Sequence, residues 1–319
     1  MHVLILGCGV SGLTTGVSLL EAGHTVTIWT KDLPQQTTSS VAAAVWYPYK
    51  AYPEDRVTAW GATAYRTFTA LAAVPGSGVL LATLVEYKPT PSPDPWWVSA
   101  VEGFRRATPD ELPPGYVDGY IFTAPVMEMP IYLDYLLRRF CEAGGAVVQR
   151  SVERLDDAFA AASIVINCVG LGAHALVGDT DLHPSRGQVV RVRHNGFRRV
   201  VLDDDGPNRV AYIVPRLNDI GLGGVDDEYN ESVSVDPALT PDILARCANL
   251  APAFAHLRPD DILSVACALR PVRSTVRVEL ERLPLERILI HNYGHGGAGV
   301  TLSWGCAAEV SALVAQARA

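Results

Sequence analysis

Met1-His-Val-Leu-Ile-Leu-Gly-Cys-Gly-Val-Ser-Gly12 decides the fold: six apolar-rich residues of β type run straight into a glycine triplet. Helical periodicity follows through Leu13, Val17 and Leu20 to Gly23, and Thr25–Thr30 has the composition of a second strand. Strand, glycine turn, helix, strand is the βαβ unit that holds a dinucleotide. Gly7 allows the tight turn, Gly9 lets the backbone touch a pyrophosphate, and Gly12 lets helix and strand pack closely, with the phosphates on the helix N-terminus. The acid that meets the ribose is expected roughly 20 residues further on. Asp32 lies in that zone behind Lys31, and its alternative reading is a turn residue before Pro34.

The opposite end of the chain carries His291-Asn-Tyr-Gly-His-Gly-Gly-Ala-Gly-Val-Thr-Leu-Ser-Trp-Gly305. Glycines at 294, 296, 297, 299 and 305 remove Cβ atoms where a backbone approaches a flat ligand or takes positive φ. Loop then passes to a helix over residues 307–317, whose N-terminal amides would face an electron-rich ring edge. Together with the first motif this points to a bound flavin; alone, it reads equally as a turn between a strand at 287–292 and the last helix.

Composition narrows the class. With 319 residues, 49% hydrophobic and 19% charged, the chain can build two domains around separate cores, as soluble enzymes do. A net charge of −8 offers no basic stripe for nucleic acid, and no apolar run approaches a membrane span. The first strand begins at Met1 without a leader-like segment, and Ala317-Arg-Ala319 is not a Ser-Lys-Leu-type address, so a cytoplasmic protein is expected. Cysteines 8, 141, 168, 247, 267 and 306 lack metal-ligand spacing, so neither a metal site nor a disulfide framework is expected.

Between the two motifs, Gln35-Gln-Thr-Thr-Ser-Ser40 suits phosphate contacts or a helix start with Ser39 or Ser40 as N-cap, and small residues follow to Ala44. Residues 54–73 read as helix, 79–87 as strand, and 88–97, with four prolines, as loop, followed by a second Pro/Gly-rich loop at 109–119. Helix at 131–140 and strands at 146–149 and 163–169 return the chain to the first sheet. Gly170-Leu-Gly172 is a partial second fingerprint, but Val177–Pro184 breaks any long helix, which argues against a second nucleotide and a nicotinamide-dependent dehydrogenase. Short antiparallel strands at 187–192, 200–202, 210–214 and 220–224, then helix at 239–254, form a second domain. In Ala268-Leu-Arg-Pro-Val-Arg273, Arg270 follows an uncharged apolar stretch and can clamp a carboxylate with its planar fork; the alternative is a surface strand.

Beyond those readings, the chain resembles the D-amino-acid oxidase family along nearly its whole length. The resemblance rests on the first glycine motif, Val41-Ala-Ala-Ala-Val-Trp-Tyr-Pro-Tyr49, Val165-Ile-Asn-Cys-Val-Gly170, Arg186-Gly-Gln188, Tyr212-Ile-Val-Pro215, Leu269-Arg-Pro-Val-Arg273 and, most specifically, His291-Asn-Tyr-Gly-His-Gly-Gly-Ala-Gly299. It implies an α/β fold in which a Rossmann-type FAD-binding domain (1–50, 130–180, 270–319) accompanies a mixed β-sheet substrate domain (51–129, 181–269). It further implies that Arg270 and Tyr212 grip the α-carboxylate, that the Gly297 carbonyl receives the amine, and that Tyr47 and Tyr49 line the pocket. FAD would be held by Gly7, Gly9, Val10, Ser11, Gly12, Lys31, Asp32, Thr38, Ser39, Ala43, Ala44, Val152, Gly170 and Arg270, and by His295, Gly296, Gly297, Gly299, Val300 and Thr301.

In this family's chemistry the Cα hydrogen leaves as hydride to flavin N5, so no side-chain acid or base is needed. The imino acid hydrolyses in water and oxygen reoxidises the flavin to give hydrogen peroxide. A homodimer is implied as well. Asn208, in a short acidic turn, stands where many animal enzymes carry a lid tyrosine, and Ala298 replaces a bulkier residue. D-Aspartate oxidases place an arginine just after a Leu-Gly-Gly strand, where this chain has Val225-Asp-Asp227, and Asp226 is expected to repel acidic side chains. The expected substrates are therefore neutral D-amino acids, with basic ones as a further option. The alternatives are a glycine or amine oxidase of the same fold, or a flavin-binding sensor without turnover.

Overall fold

The computed structural model describes residues 1–317; the C-terminal tripeptide therefore lies largely outside the described residues. Its strands fall into two sheets. In the six-stranded sheet His2–Leu6 is flanked by Thr25–Thr30 on one side and Ile164–Asn167 on the other, all parallel. Ala146–Gln149 extends it past Thr25–Thr30, and Arg287–Tyr293 extends it past Ile164–Asn167. Arg277–Leu283 closes one edge antiparallel. Strand order thus reverses around His2–Leu6, and such a switch point leaves a crevice outside the carboxyl ends of the strands. The helix Val10–Glu21 is buried nearly all round, because the sheet, Phe140 and the last helix Gly299–Gln316 enclose it.

The second sheet has nine strands. Its centre is the long strand His183–Arg193, which pairs antiparallel with Ile262–Val272 and with Asp219–Gly223. Ala211–Pro215, Val200–Asp203, Val79–Lys88 and Asp118–Met127 continue it outward. Helix Leu239–Leu250 covers one face with fully buried Ile243 and Cys247 and stops before Pro252, so the expected helix at 239–254 is an α-helix followed by a short 3-10 turn. One core, including Ile5, Leu13, Trp46, Phe68, Phe122 and Phe140, runs without interruption between the sheets.

Two local features differ from the sequence reading. Asp118–Met127 is a ten-residue strand that the pattern does not announce. Nearly all its side chains are buried, so it lacks alternation, and its Pro125 reads as a breaker; here the Pro125 carbonyl accepts the Trp46 N–H at 2.8 Å and pins the segment before Tyr47. Gly305 makes room for a neighbouring helix. It lies inside the last helix, where a Cβ would stand 2.2 Å from the Trp60 carbonyl, and so lets helix Glu54–Leu71 cross closely.

Candidate functional site

A cavity of about 600 Å³ starts at the carboxyl ends of the parallel strands and reaches the second sheet. At its first end Gly7 turns the chain with φ +99°, and a Cβ there would meet the Cys168 carbonyl at 2.5 Å. Gly9, Val10 and Ser11 open the helix N-terminus on the cavity, and the Val10 N–H donates to Ser39 Oγ at 3.1 Å. Thr38 and Ser39 sit on the short helix Thr38–Val41, whose N-cap is Thr37 rather than Ser39 or Ser40 as the sequence suggested. Lys31 and Asp32 follow the second strand as exposed residues, and Thr30 Oγ1 donates to the Asp32 carbonyl at 2.7 Å, fixing that turn. Val152, with Arg150 and Ser151, faces them from the end of Ala146–Gln149, and Gly170 follows Ile164–Asn167 with open space where a Cβ would be. Gly170–Gly172 is a 3-10 turn and the helix after it spans only Ala173–Val177, so it is no second fingerprint.

Gly12 does not line the cavity. A Cβ there would stand 2.0 Å from the Gly7 carbonyl and 3.6 Å from Ile5, so this glycine lets the turn close onto the helix.

The C-terminal loop is shorter than expected, because the last helix already begins at Gly299. Gly296 takes φ +55° and presses on the Lys50 carbonyl, while Gly297 lies against the Tyr49 ring. His295 is buried with Nε2 3.0 Å from Asn292 Oδ1, and Asn292 Nδ2 donates to Thr15 Oγ1 at 3.0 Å. Burial pushes the His295 pKa down to about 4, so the ring is a neutral Nε2–H donor that ties the loop to the first helix. His291 lies away from the cavity, with Nε2 3.4 Å from Glu281. Thr301 accepts the Tyr47 N–H at 3.1 Å and donates to the Tyr47 carbonyl at 3.0 Å, locking the small-residue segment with Ala43 and Ala44 to the helix N-terminus. Gly299, Val300 and Thr301 bring that N-terminus, with its positive dipole end, to the cavity wall.

At the far end stand Arg270, Tyr212, Tyr47 and Tyr49. Arg270 Nη1 donates to the carbonyls of Val225 at 2.9 Å and Arg186 at 3.3 Å, so one arm of the guanidinium is anchored. The group rests on Gly187, where a Cβ would come 2.7 Å from Nη2. Tyr212 crosses its strand partner Gly223, whose missing side chain makes room for the ring. Burial pushes the Tyr212 phenol up, partly offset by Arg270, so it stays a hydrogen-bond donor. An arginine fork with one arm free beside a phenol donor has the chemistry to hold a carboxylate.

The acid at this end is not the expected one. Asp226 lines a separate surface recess and is held by Lys50 at 2.5 Å, Ser185 Oγ at 2.6 Å and the Tyr49 hydroxyl at 3.0 Å. Burial raises its carboxyl, but Lys50, Ser185 and Tyr49 outweigh this and keep it below the ordinary range. A carboxylate already neutralised by Lys50 repels a substrate weakly. The acid that lines this end of the cavity is Asp204, beside Tyr47. In the sequence the Asp203-Asp-Asp-Gly-Pro-Asn208 run has the composition of a plain turn, and nothing around Gly187, although Arg186-Gly-Gln188 is part of the resemblance, marks its contact with Arg270.

That turn is rigidly held. Asp203 accepts the N–H groups of Gly206 at 2.5 Å and Asn208 at 2.9 Å and the Tyr116 hydroxyl, and Asn208 bonds to both Tyr116 and Asn249.

A family model described as FAD dependent oxidoreductase matches residues 2–313. The chain belongs to that family. It is 49% identical over 317 residues to a D-amino-acid oxidase of Rubrobacter xylanophilus, covering 99% of this chain and 96% of the relative. A D-amino-acid oxidase of Dictyostelium discoideum is 40% identical, with 99% and 92% covered. Among solved structures, glycine oxidase from Bacillus cereus superposes with a TM-score of 0.78 over 99% of this chain and 95% of that one, at 17% identity, a likeness of fold.

Proposed function

We infer that this protein is a D-amino-acid oxidase that uses FAD and oxygen and releases 2-oxo acid, ammonia and hydrogen peroxide. The observation that carries the reading is the carboxylate grip of Arg270 and Tyr212 at one end of a cavity whose other end is a glycine turn on a helix N-terminus. The residues present suit FAD: two long helices open their N-termini on the cavity, one for a pyrophosphate and one for an electron-rich ring edge. Lys31, Asp32 and Val152 would meet the adenosine half, Ser39 and Gly9 to Gly12 the phosphates, and residues 296–301 with Ala43 and Ala44 the ring. When bound, FAD supplies the two-electron acceptor for the Cα hydrogen and passes the electrons to oxygen.

The chain's own residues do the positioning. Arg270 and Tyr212 fix the carboxylate, the Gly297 carbonyl accepts from the amine, and the two anchors leave one enantiomer with its Cα hydrogen aimed at the ring. No acid or base is required, which agrees with phenols pushed up by burial and a neutral His295 around the site. With Asp204 as the cavity's acid, neutral and basic D-substrates are favoured over acidic ones. Two domains with the boundaries given above, a homodimer and a cytoplasmic setting belong to the same proposal. Among the described residues no helix is long and apolar enough to cross a membrane.

The test is the visible flavin spectrum of the purified holoprotein without oxygen, before and after D-valine or L-valine. Bleaching by the D-form alone, reversed by air with release of peroxide, is expected. A spectrum unmoved by D-valine, D-alanine and D-arginine would replace the oxidase by a carboxylate-binding flavoprotein, and bleaching by glycine alone by a glycine oxidase.

A further inference from the structure

At the end of the cavity where Arg270 and Tyr212 stand, Asp204 is a lining acid without an ion-pair partner among the described residues. It lines the cavity together with Leu202, Val210 and Val214 and stands beside Tyr47. Lys88 acts on it from a distance, but the ammonium is engaged by Glu86 at 2.5 Å and Asp205 at 2.8 Å. No ion pair joins Asp204 to any cation among the described residues, whereas Lys50 pairs with Asp226, two backbone N–H groups and the Tyr116 hydroxyl bond to Asp203, and Lys88 and Tyr47 both engage Glu86 Oε1. The Tyr47 hydroxyl stands between two carboxyl groups, donating to Glu86 Oε1 at 2.9 Å while in hydrogen-bonding reach of Asp204. A phenol has one proton to give, so Asp204 receives at most a share of the Tyr47 hydroxyl and has no donor to itself.

We propose that Asp204 selects the substrate side chain: ionised, it receives the guanidinium or ammonium of a cationic D-amino acid, and protonated it presents a neutral wall to an aliphatic one. The proposal rests on the oxidase reading above and names the residue that divides its substrate class. The groups that face Asp204 are Glu86 and Lys88 from strand Val79–Lys88, Tyr47 and Tyr49 from the segment before helix Glu54–Leu71, and Asp205 beside it. Burial first and then Glu86 raise its carboxyl to about 7, against the smaller lowering by Lys88 and Tyr47. The switch is therefore expected near neutral pH. A cation entering the pocket supplies the missing partner and favours the ionised form further.

The experiment measures kcat/KM for D-arginine and D-leucine on the holoenzyme from pH 5.5 to 8.5. Both substrates share the same α-amino and α-carboxyl groups, so their titrations cancel in the ratio. In the wild type the arginine-to-leucine ratio should climb at least about tenfold through a midpoint near 7, since an unscreened charge pair in a cavity is worth that or more. In Asp204→Asn the ratio should be low and flat. Two further variants move the midpoint in opposite directions: Glu86→Gln lowers it by removing a repelling charge, and Tyr47→Phe raises it by removing a hydrogen bond. Calorimetry with unreactive carboxylates, 5-guanidinopentanoate against 4-methylpentanoate, reads the same selectivity without turnover. A ratio in Asp204→Asn equal to the wild type's, or midpoints unmoved in both other variants, overturns the assignment. If no D-amino acid reduces the flavin, the oxidase reading fails, and the two carboxylates still decide whether Asp204 binds a cation.

Discussion

Replacing Gly187 by alanine should damage substrate binding without touching the substrate. Gly187 lies diagonally across the strand pair from Arg270, and the guanidinium lies flat on its Cα. The new Cβ would stand 2.7 Å from Nη2 and 2.9 Å from both Cζ and Nη1, where ordinary contact begins near 3.4 Å. The guanidinium must retreat by about 0.5 Å at Nη1 and about 0.7 Å at Nη2, which would stretch the 2.9 Å Nη1 bond to the Val225 carbonyl to the edge of hydrogen-bonding range if the retreat runs along that bond. Losing one aligned bond of a charged group costs about 1.5–3 kcal/mol. At about 1.4 kcal/mol per factor of ten, that is roughly 10- to 100-fold in affinity. Calorimetry with 4-methylpentanoate on the holoprotein measures it, together with KM for D-leucine, while bound flavin and melting temperature should change little. An Arg270→Leu partner completes a double-mutant cycle: once the guanidinium is gone, Gly187→Ala should cost almost nothing more. Undiminished affinity in the single variant, or a second full loss in the Arg270→Leu background, would show that Gly187 does not act through Arg270.

Three other outcomes follow from the geometry. Gly9→Val projects into the space before the helix N-terminus and should weaken FAD retention on gel filtration at least tenfold while the fold persists, whereas Gly12→Ala, with its Cβ 2.0 Å from the Gly7 carbonyl, should lower the melting temperature of the apoprotein too. His295 is neutral in the fold with its pKa down near 4, so the unfolded chain binds a proton first on acidification; the stability it contributes is complete above about 6.5 and lost as pH falls through 4, by about 3 kcal/mol, a slope that urea unfolding of His295→Gln should flatten. Asp203→Ala strips the acceptor from two backbone N–H groups and the Tyr116 hydroxyl and should destabilise the protein by about 3 kcal/mol in the same assay.

The glycine-rich end of the cavity was legible because each of its signals is local. Gly7, Gly9 and Gly12 follow a strand and open a helix within twelve residues, and the C-terminal glycines sit in one continuous run, so sequence order and spatial order coincide. The cavity gathers all the residues expected to meet cofactor or substrate except Gly12, which serves the turn. What escaped was decided at long range. Asp118–Met127 is covered on both faces by segments far from it in sequence, which erases the alternation that marks a half-buried strand. Asp226 looked like the repelling acid because Lys50, which neutralises it, comes from a remote segment. Asp204 looked like one more solvated turn residue, since nothing in three consecutive aspartates tells which is turned inward, which caps the turn and which meets solvent.

The clamped turn at residues 203–208 also bears on timing. Asp203, Tyr116, Asn208 and Asn249 hold it in a single arrangement by side-chain bonds that would all have to break before that wall could swing. Amino acids and imino acids would then pass the wall by diffusion, without waiting for a hinge, and the slow event in each cycle would be the breaking of the Cα–H bond itself. Deuterium at Cα should in that case slow kcat by its full intrinsic factor, and added viscogen should leave kcat where it was.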